Sequence, residues 1–448
     1  MNKLFSDFPK VSKLEWEEKL TKELKGADFN SSLRRNDEIE ELEYATYAHT
    51  SDQTSTIEIP GEAPFLRGNK SVNNDWNIAS LVLVEDEKEA NKKALDLLMS
   101  GTTALVFQFK KENTNLSTLF DQIGFEFIQT QFTVTSFLQF EALTSYFKGK
   151  ENCLILYRVD FKLDNELSTE FSKFASLSKG LNVRFCFVDG FSIQQTGATI
   201  IQELAIALAN GNEYLIRLIN EGYSVDEAAS SIHFSIGVGS NYFYEIAKVR
   251  AFRKLWNSIV EAYKPTNHSV SKAIITAEIG FINKSLRDPY TNLLRQTTEA
   301  MSVISAGVES VLVHPYDAKS VKGISELSAR MATNISLILK DESYFDKVID
   351  PIGGSYSIEQ LTEQIAQKSW VKFQEIDALG GILTLEAKSK LAVEIKAKVA
   401  LKLEKIKSGK QMLIGVNKYP NPQTETNDWL PEENFFGLKK LIFERDIQ

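Results

Sequence analysis

The chain has 448 residues, 43% of them hydrophobic and 25% charged, which is enough apolar material for a large core and too much chain for one small domain. Its 51 Lys and Arg against 60 Asp and Glu leave a formal charge of -9 without long same-sign blocks, which excludes a general basic surface for DNA or RNA. No run approaches the roughly eighteen apolar residues of a membrane span, and Met1 to Asp7 holds no secretory core, so a cytoplasmic protein with no membrane or nucleic-acid partner is expected.

The first element is a short helix. Ser12 and Glu15 stand at capping-box spacing, Trp16, Leu20 and Leu24 recur every four residues, and Gly26 ends the pattern. Residues 27 to 75 are polar, with turn residues at Pro60, Gly61, Pro64 and Gly68, and read as an extended connection. From residue 76 short apolar runs alternate with helical patterns. Seven candidate strands are visible: Leu81 to Val84, Ala104 to Phe109, Cys153 to Tyr157, Val183 to Val188, Ile232 to Ile236, Ala273 to Ala277 and Ser310 to His314. Between them, Thr199 to Leu208 carries Ile200, Ile201, Leu204 and Leu208 on one face with Asn210-Gly211 as its stop, and a second helix opens at Ser224 with Glu227 at capping-box spacing. Alternation on this scale predicts a (β/α)8 TIM barrel over residues 76–356, its eighth strand not evident, preceded by an arm at 1–75. Residues 357–448 read as C-terminal helices, including the Lys- and Ala-rich run Thr384 to Lys407, and a tail whose Trp429, Phe435, Phe436, Leu438 and Leu441 require a covering surface.

Cys153 and Cys186 lie in apolar strand-like runs and read as buried hydrophobes. The four histidines, His49, His233, His268 and His314, have no Cys or His neighbour at ligand spacing, so no metal site is expected.

The most specific signals are ordered runs. Asp189-Gly190-Phe191-Ser192-Ile193-Gln194-Gln195-Thr196-Gly197-Ala198-Thr199 follows a strand, where a barrel enzyme places its chemistry. Gly237 to Ala251, Asp288 to Met301, Ser328 to Asn334, Asp350 to Tyr356 and Leu413 to Tyr419 follow in order. Together these resemble the methylmalonyl-CoA mutase family, whose first run reads Ser-Gly-Tyr-His-Met-Gln-Glu-Ala-Gly-Ala-Thr and whose second reads Gly-Ile-Gly-Met-Asn-Phe-Phe-Met-Glu-Ile-Ala-Lys-Leu-Arg-Ala. The opening Phe8-Pro9 to Asp28 is similar to the start of the family's small subunits.

The resemblance also marks what is missing. Phe191 and Ser192 stand where catalytic members have a Tyr-His pair that contacts the substrate thioester, so the phenol hydroxyl and the reach of an imidazole are gone. Pro60 to Gly68 resembles the family's Pro-Gly-x-x-Pro-x-x-Arg-Gly, but Asn69 to Asp75 replaces its Tyr- and Arg-rich continuation. The arginine that pairs with the substrate carboxylate is not found before Val183. The flavodoxin-like cobalamin domain is absent, since no histidine has Asp two before and Gly three after it. The resemblance therefore implies a small subunit without catalysis of its own, and its relic pocket is expected around Phe191, Ser192, Gln195, Asn241 and Glu278. No cofactor is expected on this chain alone. Adenosylcobalamin would be held by a catalytic large subunit, in a heterodimer; Trp16, Leu20 and the apolar residues near Phe435 either contribute to its interface or pack on their own barrel. Two other readings stay open: an active barrel chain served by a separate cobalamin protein, and a stand-alone metabolite-binding barrel.

Overall fold

The computed structural model describes residues 9, 11–28, 32, 34–45, 58–150, 152–159, 168–420, 428–431, 433–435 and 437–447. Helix α1 (Lys13–Glu23) opens with the Ser12/Glu15 capping box, yet none of its residues is buried. A hairpin follows, β1 (Arg34–Asp37) against β2 (Leu42–Ala45), within the stretch read as extended connection. Its turn carries Ile39, and β2 opens with Leu42; both are buried, two apolar residues too few to stand out in the sequence.

The barrel is built from β3 (Asn77–Val84), β4 (Ala104–Phe109), β5 (Gln129–Val134), β6 (Leu154–Val159), β7 (Val183–Arg184), β8 (Cys186–Asp189), β9 (Ile232–Val238), β10 (Ile275–Ile279) and β11 (Ser310–Val313), all parallel. The last strand pairs with β3, and the sheet closes except between β7 and β8, which are two halves of one segment. The break is a bulge. Phe185 and Cys186 both face the outer core, and both of their amides donate to the Ser231 carbonyl at 3.0 Å, so two residues oppose one and the strand bends. The run read as one strand, Val183 to Val188, thus pairs first with β6 and then with β9.

The eighth strand is β5. It shows no apolar run because Gln129, Gln131 and Thr133 alternate with Thr130, Phe132 and Val134, and the glutamines point inward. Outside the ring, Phe107, Phe120, Phe132, Phe140 and Tyr157 pack edge-to-face and tilted at 4.6–5.6 Å against the surrounding helices.

Helix α2 (Glu87–Met99) follows β3, α3 (Phe137–Phe147) follows β5, and α4 (Ser168–Ser178) follows β6. After β8 come α5 (Gly190–Gln195) and α6 (Ile200–Asn220). The remaining barrel helices are α7 (Tyr242–Ala262), α8 (Thr291–Ser305) and α9 (Glu326–Leu337), and the barrel is followed by α10 (Tyr356–Ala378) and α11 (Leu385–Lys407). Asn210-Gly211 does not stop α6, which runs on to Asn220. Gly211 is there for space: a Cβ would lie 2.7 Å from the Trp256 ring. No helix among the described residues is long and apolar enough to cross a membrane.

The tail finds its cover on its own barrel. Leu438 packs against α11, Leu441 and Phe443 join a second small core, and the Trp429 indole donates to Glu444 at 3.0 Å; Phe436 lies outside the described residues. At the strands' N-terminal end the Pro60 to Gly68 run is fixed by charge. Arg67 (2.8 Å) and Arg250 (2.5 Å) share Asp350, and Arg250 also pairs with Glu359 at 2.7 Å.

Gly211→Ala should lower the thermal midpoint although alanine is the better helix former. The expected loss is about 1–3 kcal/mol, as for an overpacked core, measured by urea or thermal unfolding.

Candidate functional site

At the strands' C-terminal ends β8 finishes at Asp189, whose Oδ1 accepts the Ser192 amide (2.8 Å) and the Ser235 hydroxyl (3.2 Å). That pair of bonds turns the chain straight into α5, which lies over the mouth. Gly190 is required because a Cβ there would collide with the Ser235 carbonyl. Burial raises the Asp189 carboxyl above its ordinary range, against the hydrogen bonds from Ser192.

Beneath α5 the lumen is crossed by side chains. Arg158 Nη1 lies 2.7 Å from Glu278 Oε1, Arg158 Nε donates to Gln131 Oε1 at 2.7 Å, and Gln131 Nε2 donates to Thr276 Oγ1 at 3.0 Å. Gln131 and Arg158 sit on β5 and β6, and Thr276 and Glu278 on β10. Bonds between non-adjacent strands of a closed ring can only run through its interior. The guanidinium also lies 5.0 Å from the Phe187 ring, a cation–π contact. The other side of the lumen is filled by Ala79, Ala104, Val106 and Leu312. Burial opposes ionisation of Glu278, but Arg158 and the His314 hydrogen bond outweigh it and hold the carboxyl below its usual range.

His314 Nε2 completes this group at 3.0 Å from Glu278 Oε2, with its ring stacked on Phe191 at 5.2 Å and tilted against Phe281 at 5.3 Å. Gln195 closes the roof: its Oε1 accepts the Phe281 amide at 3.0 Å, and its carbonyl accepts the Leu441 amide at 2.7 Å. The tail continues across the mouth. The Phe443 amide donates to the Ile282 carbonyl at 2.8 Å, and Glu444, buried, accepts from Ser285 Oγ (2.5 Å) and the Leu286 amide (2.8 Å).

Four of the five residues singled out from the sequence therefore meet at this mouth. Phe191 and Glu278 flank His314, Ser192 is buried against Asp189, and Gln195 ties α5 to the loop after β10. Asn241 stands apart. It caps α7 through the Tyr244 amide (3.4 Å) and faces a separate groove of about 580 Å³ beside the mouth. Sequence reading missed Arg158 and Gln131; the signal for Arg158 was a lone charge inside the apolar run Cys153 to Val159. His233, on β9, points inward and lies 3.0 Å from the Tyr157 carbonyl. Burial drops its pKa to about 3, so the ring is neutral and Nε2 is the donor. Among the described residues no three His, Cys, Asp or Glu side chains converge as a metal site.

Residues 162–435 match the family model for methylmalonyl-CoA mutase. The chain is 34% identical to the methylmalonyl-CoA mutase small subunit of Porphyromonas gingivalis, over 94% of this chain and 71% of that one. It is 35% identical to the probable methylmalonyl-CoA mutase small subunit of Mycobacterium tuberculosis, over 53% of this chain and 39% of that one. To the methylmalonyl-CoA mutase of Rhizobium meliloti it is 34% identical over 59% of its length, and the match spans 36% of that mutase.

Glu278→Leu should destabilise the fold by about 3–5 kcal/mol in urea unfolding, because it strands the Arg158 charge; Arg158→Leu added to it should recover most of the loss. A second expectation concerns His233. The unfolded imidazole takes a proton near 6.5 while the folded one refuses it down to about 3, so this contribution to stability is present above pH 6.5 and drains away as pH falls. Between pH 6.5 and 4 the native chain should lose about 3 kcal/mol more than His233→Gln, which cannot titrate.

Proposed function

The chain belongs to the methylmalonyl-CoA mutase family, among its small subunits, and on that premise we propose that it is the non-catalytic partner of a large subunit that carries out the adenosylcobalamin-dependent interconversion of methylmalonyl-CoA and succinyl-CoA. Its role in this reading is structural, holding the catalytic chain in its working form.

The observation that carries the proposal is the occupied lumen. An acyl-CoA ester on the barrel axis would have to displace the Arg158–Glu278–His314 group, and removing one partner of a buried pair leaves the other charge unpaired. Arg158 is the inward arginine a substrate carboxylate would seek, but Glu278 already neutralises it. At the mouth Phe191 offers a ring without a hydroxyl, and Ser192 is buried against Asp189. The same features weigh against an active barrel chain served by a separate cobalamin protein, and against a metabolite pocket on the axis.

Adenosylcobalamin supplies a radical when bound, and the described residues, which do not include His49, do not fit it. His314 is held between two rings with its Nε2 on Glu278, His233 is sealed inside the barrel, and His268, at the opposite end, sits 2.8 Å from Glu261. The tail lies across the mouth at the strands' C-terminal end. The cofactor is therefore assigned to the large subunit.

Support for that partner comes from α1. An eleven-residue helix that buries none of its side chains is marginal in water and gains stability from a surface supplied by another chain. The tail residues near Phe435, by contrast, pack on their own barrel.

Mixed with its large subunit, the chain should form a one-to-one complex by size-exclusion chromatography with light scattering, and deletion of residues 1–26 should weaken it at least about tenfold. The complex should turn over methylmalonyl-CoA with adenosylcobalamin. This chain alone should not, even as Phe191→Tyr with Ser192→His. Turnover by the isolated chain would overturn the reading.

A further inference from the structure

The groove that contains Asn241 is separate from the barrel axis, and the subunit reading does not use it. Its volume of about 580 Å³ is that of a small-molecule site, and it opens on the C-terminal face of the barrel, beside the end of β9 and the loop Gly239–Asn241 that joins it to α7. Three fully buried charges form its floor. Lys248 Nζ lies 3.1 Å from Glu203 and 2.5 Å from Glu245, and it donates to the Gly237 carbonyl at 2.5 Å. Glu203 in turn accepts the Gly237 amide at 2.9 Å.

The loop is thus held by charges behind it rather than by anything in front. The glycines here are closely packed: a Cβ at Gly237 would lie 2.5 Å from the Gln194 side chain, and one at Gly239 would lie 2.8 Å from Glu245. A rigid, preorganised wall of this kind loses little entropy on binding.

The polarity of the wall names the ligand. The carboxylates that line it are engaged within the protein. Glu203 and Glu245 face Lys248, Glu40 accepts the Ile200 amide (2.8 Å) beside Lys402, and Asp37 caps the amides of Ile39 and Glu40. The Gln194 carbonyl oxygen takes the Gln195 amide at 2.6 Å, and the Asn241 oxygen takes the Tyr244 amide. The groove is also lined by the amide nitrogens of Gln194 and Asn241, the Ser240 hydroxyl and the Lys410 ammonium, all donors, by Asn36 and Gln411, which offer a donor and an acceptor each, and by Ile282 and Phe443 as apolar neighbours.

We propose that this groove is a binding site for a small anionic metabolite, its carboxylate or phosphate oxygens taken by Gln194, Asn241, Ser240 and Lys410. The floor does not oppose a negative ligand. Burial, partly offset by Lys248, lifts the Glu203 carboxyl to about 7, and the Lys248 ammonium between Glu203 and Glu245 offsets carboxylate charge behind the groove.

The test is isothermal titration of the whole chain at low salt with inorganic phosphate, succinate and ADP. Asn241→Asp is the diagnostic variant, because aspartate preserves the cap of α7 while exchanging the donor for a negative charge, so the thermal midpoint should not fall. Saturable binding of at least one probe, weakened at least about tenfold by both Asn241→Asp and Lys410→Glu, is expected. Succinate as the tighter probe assigns the site to carboxylates; phosphate or ADP assigns it to phosphate esters. No saturable binding below about 10 mM overturns the proposal, as does binding that Lys410→Glu weakens and Asn241→Asp leaves unchanged, which is attraction to surface lysines alone.

Discussion

The buried pair Arg158–Glu278 is the constraint on which the interior of this barrel depends. An ion pair taken out of water is stabilised when its remaining donors and acceptors are also engaged, and here the engagement spreads from strand to strand, while Arg158 Nη2 has no hydrogen-bond partner among the described residues and the guanidinium lies against the Phe187 ring. Gln131 takes the guanidinium edge, Thr276 takes Gln131, and His314 takes the free oxygen of Glu278. With the polar half of the lumen committed in this way, Ala79, Ala104, Val106 and Leu312 fill the rest, and Phe191 and Phe281 roof it. Among the described residues the lumen is thus crossed by side chains from both halves of the barrel.

The motifs that signal kinship turn out to be mostly joints. Arg67, Arg250 and Asp350 belong to three separate runs and meet in one network under the barrel. Glu245 and Lys248, from the Gly237 to Ala251 run, shape the loop after β9 together with Glu203. Glu299, from the run that opens at Asp288, is paired with Lys284, both of them buried. The residues of these runs that hold the frame are thus a different set from Phe191 and Ser192, which stand at the mouth.

Seven of the eight strands were legible because apolar runs bounded by turns report strands buried on both faces. β5 was not, since its inward residues are glutamines that serve Arg158, a partner 27 positions away that no local pattern reveals. The bulge at Phe185 was hidden for the same reason: its cause is the Ser231 carbonyl on a later element. Gly211 looked like a helix stop because its role is to admit Trp256, on another helix. Ser12, Thr199 and Ser224 form their capping boxes as read, because a cap is settled within four residues. At the site, Phe191, Gln195 and Glu278 could be placed near the mouth by motif position, but the cross-lumen bonds that give them meaning belong to the tertiary structure.

The tail bears on how the molecule is made. The barrel closes only when β11 reaches β3, more than two hundred residues earlier, and its mouth is sealed later still, when Leu441 meets Gln195 and Glu444 meets Ser285. During synthesis the nascent barrel therefore stands with an open, partly apolar rim until those residues leave the ribosome. Such long-range closure makes for slow folding and a long window for chaperone capture.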